Sequence, residues 1–240
     1  MENALSDPYL RTPLEDFCGI MPAMGWLTPP EERGRDMFPK IARASLATAL
    51  ITISASNSVV NAGPIEDGIA AYQAREFETA AGFWRAAAEA GDSLGQYYMG
   101  FLYEQGQGVE RDSNEAIRWY ILAGDQGYAP ALNQLGLMFA DGDGVEEDDA
   151  EAVKLFRRAA EMGSPGAQWN LGVHLNSGSG TPTNRLEAYA WITIAATQGH
   201  ALADRLKLTL EAELPLETIE QGLEMAGRFW DLYVVPFQTK

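Results

Sequence analysis

One pattern is written three times between Ser93 and His200, at a spacing of 36 residues, and nothing else in the chain constrains its fold as strongly. The first copy reads Leu94-Gly95-Gln96-Tyr97-Tyr98-Met99-Gly100, then Gly106-Gln107-Gly108-Val109, then Ala116-Ile117-Arg118-Trp119-Tyr120, and closes at Gly127. The second puts Gly136, Gly142, Gly144, Val145, Ala152, Leu155, Phe156, Ala159 and Gly163 at the same offsets. The third puts Gly172, Gly178, Gly180, Ala188, Trp191, Ile192, Ala195 and Gly199 there. Units of this length stack so that each buries its apolar face against the next. The expected fold is therefore all-α, a right-handed α-solenoid of helix–turn–helix repeats.

Within each unit the residue types assign two helices, A and B. Met99 and Tyr103, Leu135 and Phe139, and Leu171 and Leu175 lie four apart and draw an apolar stripe along helix A. Gly100, Gly136 and Gly172 share that face; a glycine inside a helix costs about 1 kcal/mol, so three in register predict close helix approach. Asp112, Asp148 and Asn184 stand where they can cap helix B. Gly127, Gly163 and Gly199 end it as C-terminal caps.

A fourth unit precedes these three. Ala80, Phe83, Trp84, Ala87 and Gly91 fall 36 residues before Ala116, Trp119, Tyr120, Ala123 and Gly127. Its inter-helix loop is shorter by four, because Gly68 to Ala80 spans 12 residues where Gly100 to Ala116 spans 16. The units are thus 63–92, 93–128, 129–164 and 165–200, together 63–200. Residues 201–240 lack the Gly-x-Gly loop; Pro215 restarts a helix with Ile219, Leu223, Ala226 and Trp230 on one stripe. That helix is expected to cap the stack, with an extended tail from Asp231 to Lys240.

The first 62 residues are of another kind. Residues 1–36 are rich in Pro, Gly and charge without helical or strand period, which predicts a disordered extension. Met37 to Arg43 is short and basic, Ala44 to Ala55 is an uncharged apolar run, and Val60-Asn61-Ala62 precedes Gly63-Pro64. This is the layout of a signal peptide over 37–62, cleaved after Ala62. It implies an internal start at Met37 and a periplasmic or otherwise exported protein; the competing reading is a packed or interfacial helix behind a tail. The apolar run is shorter than the roughly 20 residues that span a bilayer, so no stable membrane insertion is expected after cleavage. Cys18, the one cysteine, would then be absent from the mature chain.

Charge narrows the partners. The net charge is −17, and 12 Lys/Arg against 27 Asp/Glu remain after Ala62, so polyanions such as nucleic acid are repelled and cationic partners favoured. Catalytic constellations are missing from the sequence. His174 and His200 are the two histidines and have no Cys or second His at ligand spacing. Ser177-Gly178-Ser179-Gly180 is the repeat loop rather than a nucleophile elbow. The acidic run Asp141 to Asp149 has Glu146 where a calcium loop starting at Asp141 needs glycine. The expectation is no enzyme, no cofactor and no metal.

At these residues the chain resembles the Sel1-like repeat family, a relative of the tetratricopeptide repeats. The family pattern runs Ala-x-Tyr-x-Leu-Gly, Gly-x-Gly-Val, Glu-Ala-x-x-Trp/Tyr-x-x-Ala-Ala, Gly, and Ala131 to Gly163 follows it nearly throughout. Ala123-Gly124 replaces Ala-Ala, and Thr181 replaces the loop valine. The resemblance implies an adaptor with a protein or peptide on its concave face. Exported bacterial members include envelope scaffolds and periplasmic regulators of membrane signalling proteins.

Carried over by position, helix A lines the concave side. Its exposed places would be Tyr97, Phe101 and Gln105, then Asn133, Leu137 and Asp141, then Trp169, Val173 and Ser177. Tyr97 and Trp169 are the expected anchors, since aromatics carry much of typical interface energy; packing between repeats is the other use for them. The same two rings could stack on sugar, which leaves peptidoglycan or glycan recognition as the alternative function.

Overall fold

The computed structural model describes residues 63–238; the extension 1–36, the export signal 37–62 and Cys18 lie outside them. The described residues form ten α-helices and no strand. These are α1 (Pro64–Gln73), α2 (Phe77–Glu89), α3 (Ser93–Gln105), α4 (Ser113–Asp125), α5 (Ala129–Asp141), α6 (Asp149–Glu161), α7 (Pro165–Ser177), α8 (Arg185–Thr197), α9 (Ala201–Glu213) and α10 (Leu216–Tyr233). Consecutive helices pack on one another, so α1–α2, α3–α4, α5–α6 and α7–α8 are the four hairpins expected from the repeat.

A glycine in helix A receives a large side chain from helix B of the same hairpin. A Cβ on Gly100 would stand 2.7 Å from the Tyr120 ring, one on Gly136 2.6 Å from the Phe156 ring, and one on Gly172 2.6 Å from Ile192. In the first hairpin the indole of Trp84 fills the same place over Gly68. These bulky groups are 0% exposed, and the alanines around them, Ala80, Ala116, Ala152 and Ala188, are too. The glycines cost helix propensity and return closer packing of each pair.

Helix ends follow the sequence. Asp112 Oδ1 accepts from Asn114 and Glu115 N–H, Asp148 Oδ1 from Glu151 N–H at 3.0 Å, and Asn184 Oδ1 from Glu187 N–H at 3.2 Å. Gly127, Gly163 and Gly199 take φ of 87°, 85° and 88° just past helix B.

The second glycine of each Gly-x-Gly loop joins one repeat to the one before. A Cβ on Gly108 would overlap the Phe77 carbonyl, one on Gly180 the Asp149 carbonyl, and one on Gly144 would come 2.5 Å from Ser113 Cβ. Phe77, Ser113 and Asp149 each open helix B of the preceding hairpin. Every loop therefore sits on its neighbour's first turn, where only a residue without a side chain fits.

The C-terminal end departs from expectation. Helix α9 stands where the helix A of a fifth unit would: Ala203 repeats Ala131 and Ala167, and all three are 0% exposed. Helix α10 then packs along the flank of α8. Its buried side is Gly222 and Ala226, with Phe229 and Tyr233 on Trp191 at centroid distances of 4.6 and 5.7 Å. Ile219, Ala226 and Trp230 of the expected stripe pack against the core, but Leu223 stays 47% exposed. Gly222 takes the contact because the Tyr189 ring lies 2.5 Å from its Cβ position, too close for leucine. The tail is helical further than expected, with a 3-10 turn over Val235–Phe237.

Candidate partner-binding surface

The expected concave anchors are packed away. Tyr97 is 6% exposed, its ring 5.1 Å from Tyr128 and 5.8 Å from Tyr120. Trp169 is 1% exposed and stacked on His200 at 5.1 Å. Phe101 lies edge-on to Tyr72, and Val173 joins Trp169, Tyr189 and Ile192 in one apolar cluster. Asn133, also buried, accepts through Oδ1 from Asn170 Nδ2 at 2.9 Å, a bond from one helix A to the next. These five were expected in solvent, and the structure corrects that. Neighbouring A helices approach closely enough to cover one another's inner rows. Leu137 is half-buried. Only Gln105, Asp141 and Ser177, in the last turn of each helix A, are exposed as expected. A sugar face stacks on an exposed ring, and neither Tyr97 nor Trp169 offers one.

Buried glutamines brace the first and third full repeats. Gln96 Nε2 donates to Ala88 O and Gln168 Nε2 to Ala160 O, while their Oε1 atoms accept from Gln126 and Gln198 at 2.7 and 2.6 Å. The middle repeat has Leu132 and Met162 at these places. There Gly124 replaces the alanine, and Leu132 Cδ2 fills the room this leaves. The Gly124 carbonyl, without a glutamine, takes Arg158 Nη2 at 3.3 Å instead. This accounts for the Ala-Gly departure.

The acidic loop is committed to structure. Asp143 holds Arg111 at 2.7 Å and accepts from Ser113 Oγ at 2.6 Å, and Asp148 caps α6. Among the described residues no three His, Cys, Asp or Glu are grouped to hold a metal, and no helix is long and apolar enough to cross a membrane. Burial pushes the Glu104 carboxyl up, opposed by the Tyr120 hydroxyl that donates to it at 2.6 Å and assisted by the nearby Asp143. Tyr189, desolvated and bonded to Glu211, is pushed up to about 12.

The residues 93–128, 129–164 and 165–200 match the Sel1 repeat model, the same three units and boundaries as the 36-residue register. The chain carries three Sel1 repeats. A Sel1 repeat protein from Oxalobacter formigenes is 35% identical with a TM-score of 0.56, over 60% of this chain and 57% of that one. The chain thus spans little more than half of that relative. A protective antigen of uropathogenic Escherichia coli with an SLR fold, c5321, is 25% identical at a TM-score of 0.47, covering 72% of this chain and 46% of that one. No curated protein matches. The hairpin 63–92 lies outside the matched residues and packs on the N-terminal side of the three repeats, with Trp84 over Gly68.

The hairpins do leave apolar side chains in water, but on the B helices. Phe83 is 37% exposed, Ile121 42% and Leu122 40%. In the sequence Phe83 reads as the repeat equivalent of Trp119, and Ile121 and Leu122 are passed over although a signal is present: Arg157 and Arg158 occupy their places one repeat later. Two arginines mark those places as outward, so isoleucine and leucine there are out of keeping.

Proposed function

We propose that this Sel1-repeat chain is a non-enzymatic adaptor that works in the cell envelope and holds another protein for a membrane signalling or assembly system. The observation that carries the reading is the placement of its exposed apolar residues. Phe83, Ile121 and Leu122 face water on α2 and α4 of a strongly acidic protein, and Leu208, Leu216, Leu223, Leu232, Val235 and Phe237 do so beyond the repeats. Apolar side chains kept together at a surface favour burial against a partner. Stacked repeats suit this task because they present an extended, rigid wall with no need of a reactive centre. Export rests on the basic, apolar and small-residue layout of Met37 to Ala62.

In-cell crosslinking of the C-terminally tagged chain, with mass spectrometry of captured proteins and of the bait's N-terminus, tests both parts. A dominant envelope protein captured by bait beginning at Gly63 is the expected result. Bait that retains Met1 and captures cytosolic proteins overturns it.

A further inference from the structure

Trp191 and Trp119 occupy the same place two repeats apart, and among the described residues a helix covers only Trp191. On α8, Trp191 and Ile194 are 1% exposed because α10 lies over them, with Ala226 and Val234 in the same cluster and Leu155 and Met162 of α6 packed against it. The end of α10 reaches α6, where the Tyr233 carbonyl would stand 2.9 Å from a Cβ on Gly163. On α4 the matching residues are Trp119 and Leu122, and on α2 Phe83, Ala90 and Gly91 match Leu155, Met162 and Gly163. The places that line the α10 groove are thus filled by like residues on α2 and α4. Leu122 is 40% and Phe83 37% exposed there, and Ala86 and Ala90 of α2 are exposed beside them.

A second observation lies at these places. Trp191 Nε1 donates to Glu187 at 3.2 Å. Trp119 is 9% exposed, and its Nε1–H is buried without an acceptor among the described residues. The matching carboxylate, Glu115, is drawn away by Arg118 at 2.8 Å, and the Arg118 guanidinium lies 5.0 Å from the Trp119 ring centroid. On α8 the place of Arg118 is taken by Ala190. A buried donor left unpaired costs about 1–3 kcal/mol. An acidic group brought in to hold Arg118 would release Glu115 to accept from Trp119, as Glu187 does from Trp191.

The geometry points to the α2–α4 groove as the docking site for an amphipathic helix of a partner protein. That helix resembles α10: it sets two aromatic residues four apart into the groove and presents a carboxylate to Arg118. This rests on the adaptor reading and names its surface and partner chemistry.

The test titrates a fluorescently labelled synthetic peptide of residues 216–238, which carries Phe229 and Tyr233, into the full chain. Saturable binding is expected, with movement of the Trp119 indole N–H resonance. Leu122→Arg, the residue α6 already carries at that place, is expected to weaken binding about tenfold, and so is a peptide with Phe229→Ala and Tyr233→Ala. No binding, or equal binding to Leu122→Arg, overturns the proposal. A concentration-dependent dimer abolished by Leu122→Arg overturns it in favour of a second copy, and crosslinks from position 122 to residues 1–62 in favour of the chain's own N-terminal segment. Should Leu122→Arg still capture its envelope partner in cells, the groove fails while the adaptor reading stands.

Discussion

Leu132 reaches over Gly124, placing its Cδ2 2.5 Å from where a Cβ on that glycine would lie. The two residues form one solution to the joint between successive hairpins. Gln96 with Ala88, and Gln168 with Ala160, form the other. Gly124→Ala, which restores the family's Ala-Ala, is therefore expected to destabilise the protein. The new methyl meets a leucine held inside a packed joint, at a cost of about 1–3 kcal/mol that outweighs the helix propensity regained. Urea unfolding should register the loss. Adding Leu132→Gln and Met162→Gln, which rebuilds the glutamine brace, should recover most of it.

Glycines within the helices divide into two kinds, and alanine separates them. Gly136→Ala places a methyl 2.6 Å from the Phe156 ring, so thermal unfolding should fall by the equivalent of about 1–3 kcal/mol. Gly82, inside α2, has no atom within 4 Å of its Cβ position. Gly82→Ala should instead stabilise by about 0.5–1 kcal/mol, through helix propensity and a less flexible unfolded chain.

Gly180 joins the third Sel1 repeat to the second. It has a φ of 67°, and its Cβ position overlaps the Asp149 carbonyl. Gly180→Ala has to strain the loop or lift it off α6, for about 2 kcal/mol or more. Because solenoid stability is a sum over neighbours, the damage should be local. Hydrogen exchange is expected to speed up in α7 to α10 while α1 to α4 keep their protection; uniform acceleration would contradict a nearest-neighbour stack.

Glu104 links stability to pH. Burial raises its pKa in the folded state, so the folded chain binds this proton more tightly than the unfolded chain. Its contribution to stability therefore falls as pH rises from the ordinary carboxylate value through the raised one. Glu104→Gln removes the cost of the buried charge and keeps an acceptor for the Tyr120 hydroxyl. The variant should be the more stable at neutral pH, and the gap should close as pH falls toward about 4.

Periodicity made most of this fold legible. Asp112, Asp148, Asn184 and the paired loop glycines each have one local task, and spacing alone identifies it. Tyr97 and Trp169 were misplaced for the opposite reason. The repeat shows which face of helix A meets its own helix B, but how far the next helix A closes over the inner row depends on the packing of whole hairpins. Asn133 meeting Asn170 could not be read from either hairpin alone. Helix α10 hid one contact in a glycine: Gly222 meets Tyr189, while the larger Leu223 beside it stays in water.

A photoreactive residue placed at position 122, compared with one at Gln105, tests the interaction surface most directly. Leu122 lies in the outer groove and Gln105 in the exposed last turn of helix A. Adducts to a single envelope protein from position 122 and none from position 105 are the expected result. Adducts from position 105 alone would return the partner to the helix-A side and contradict the placement of the site.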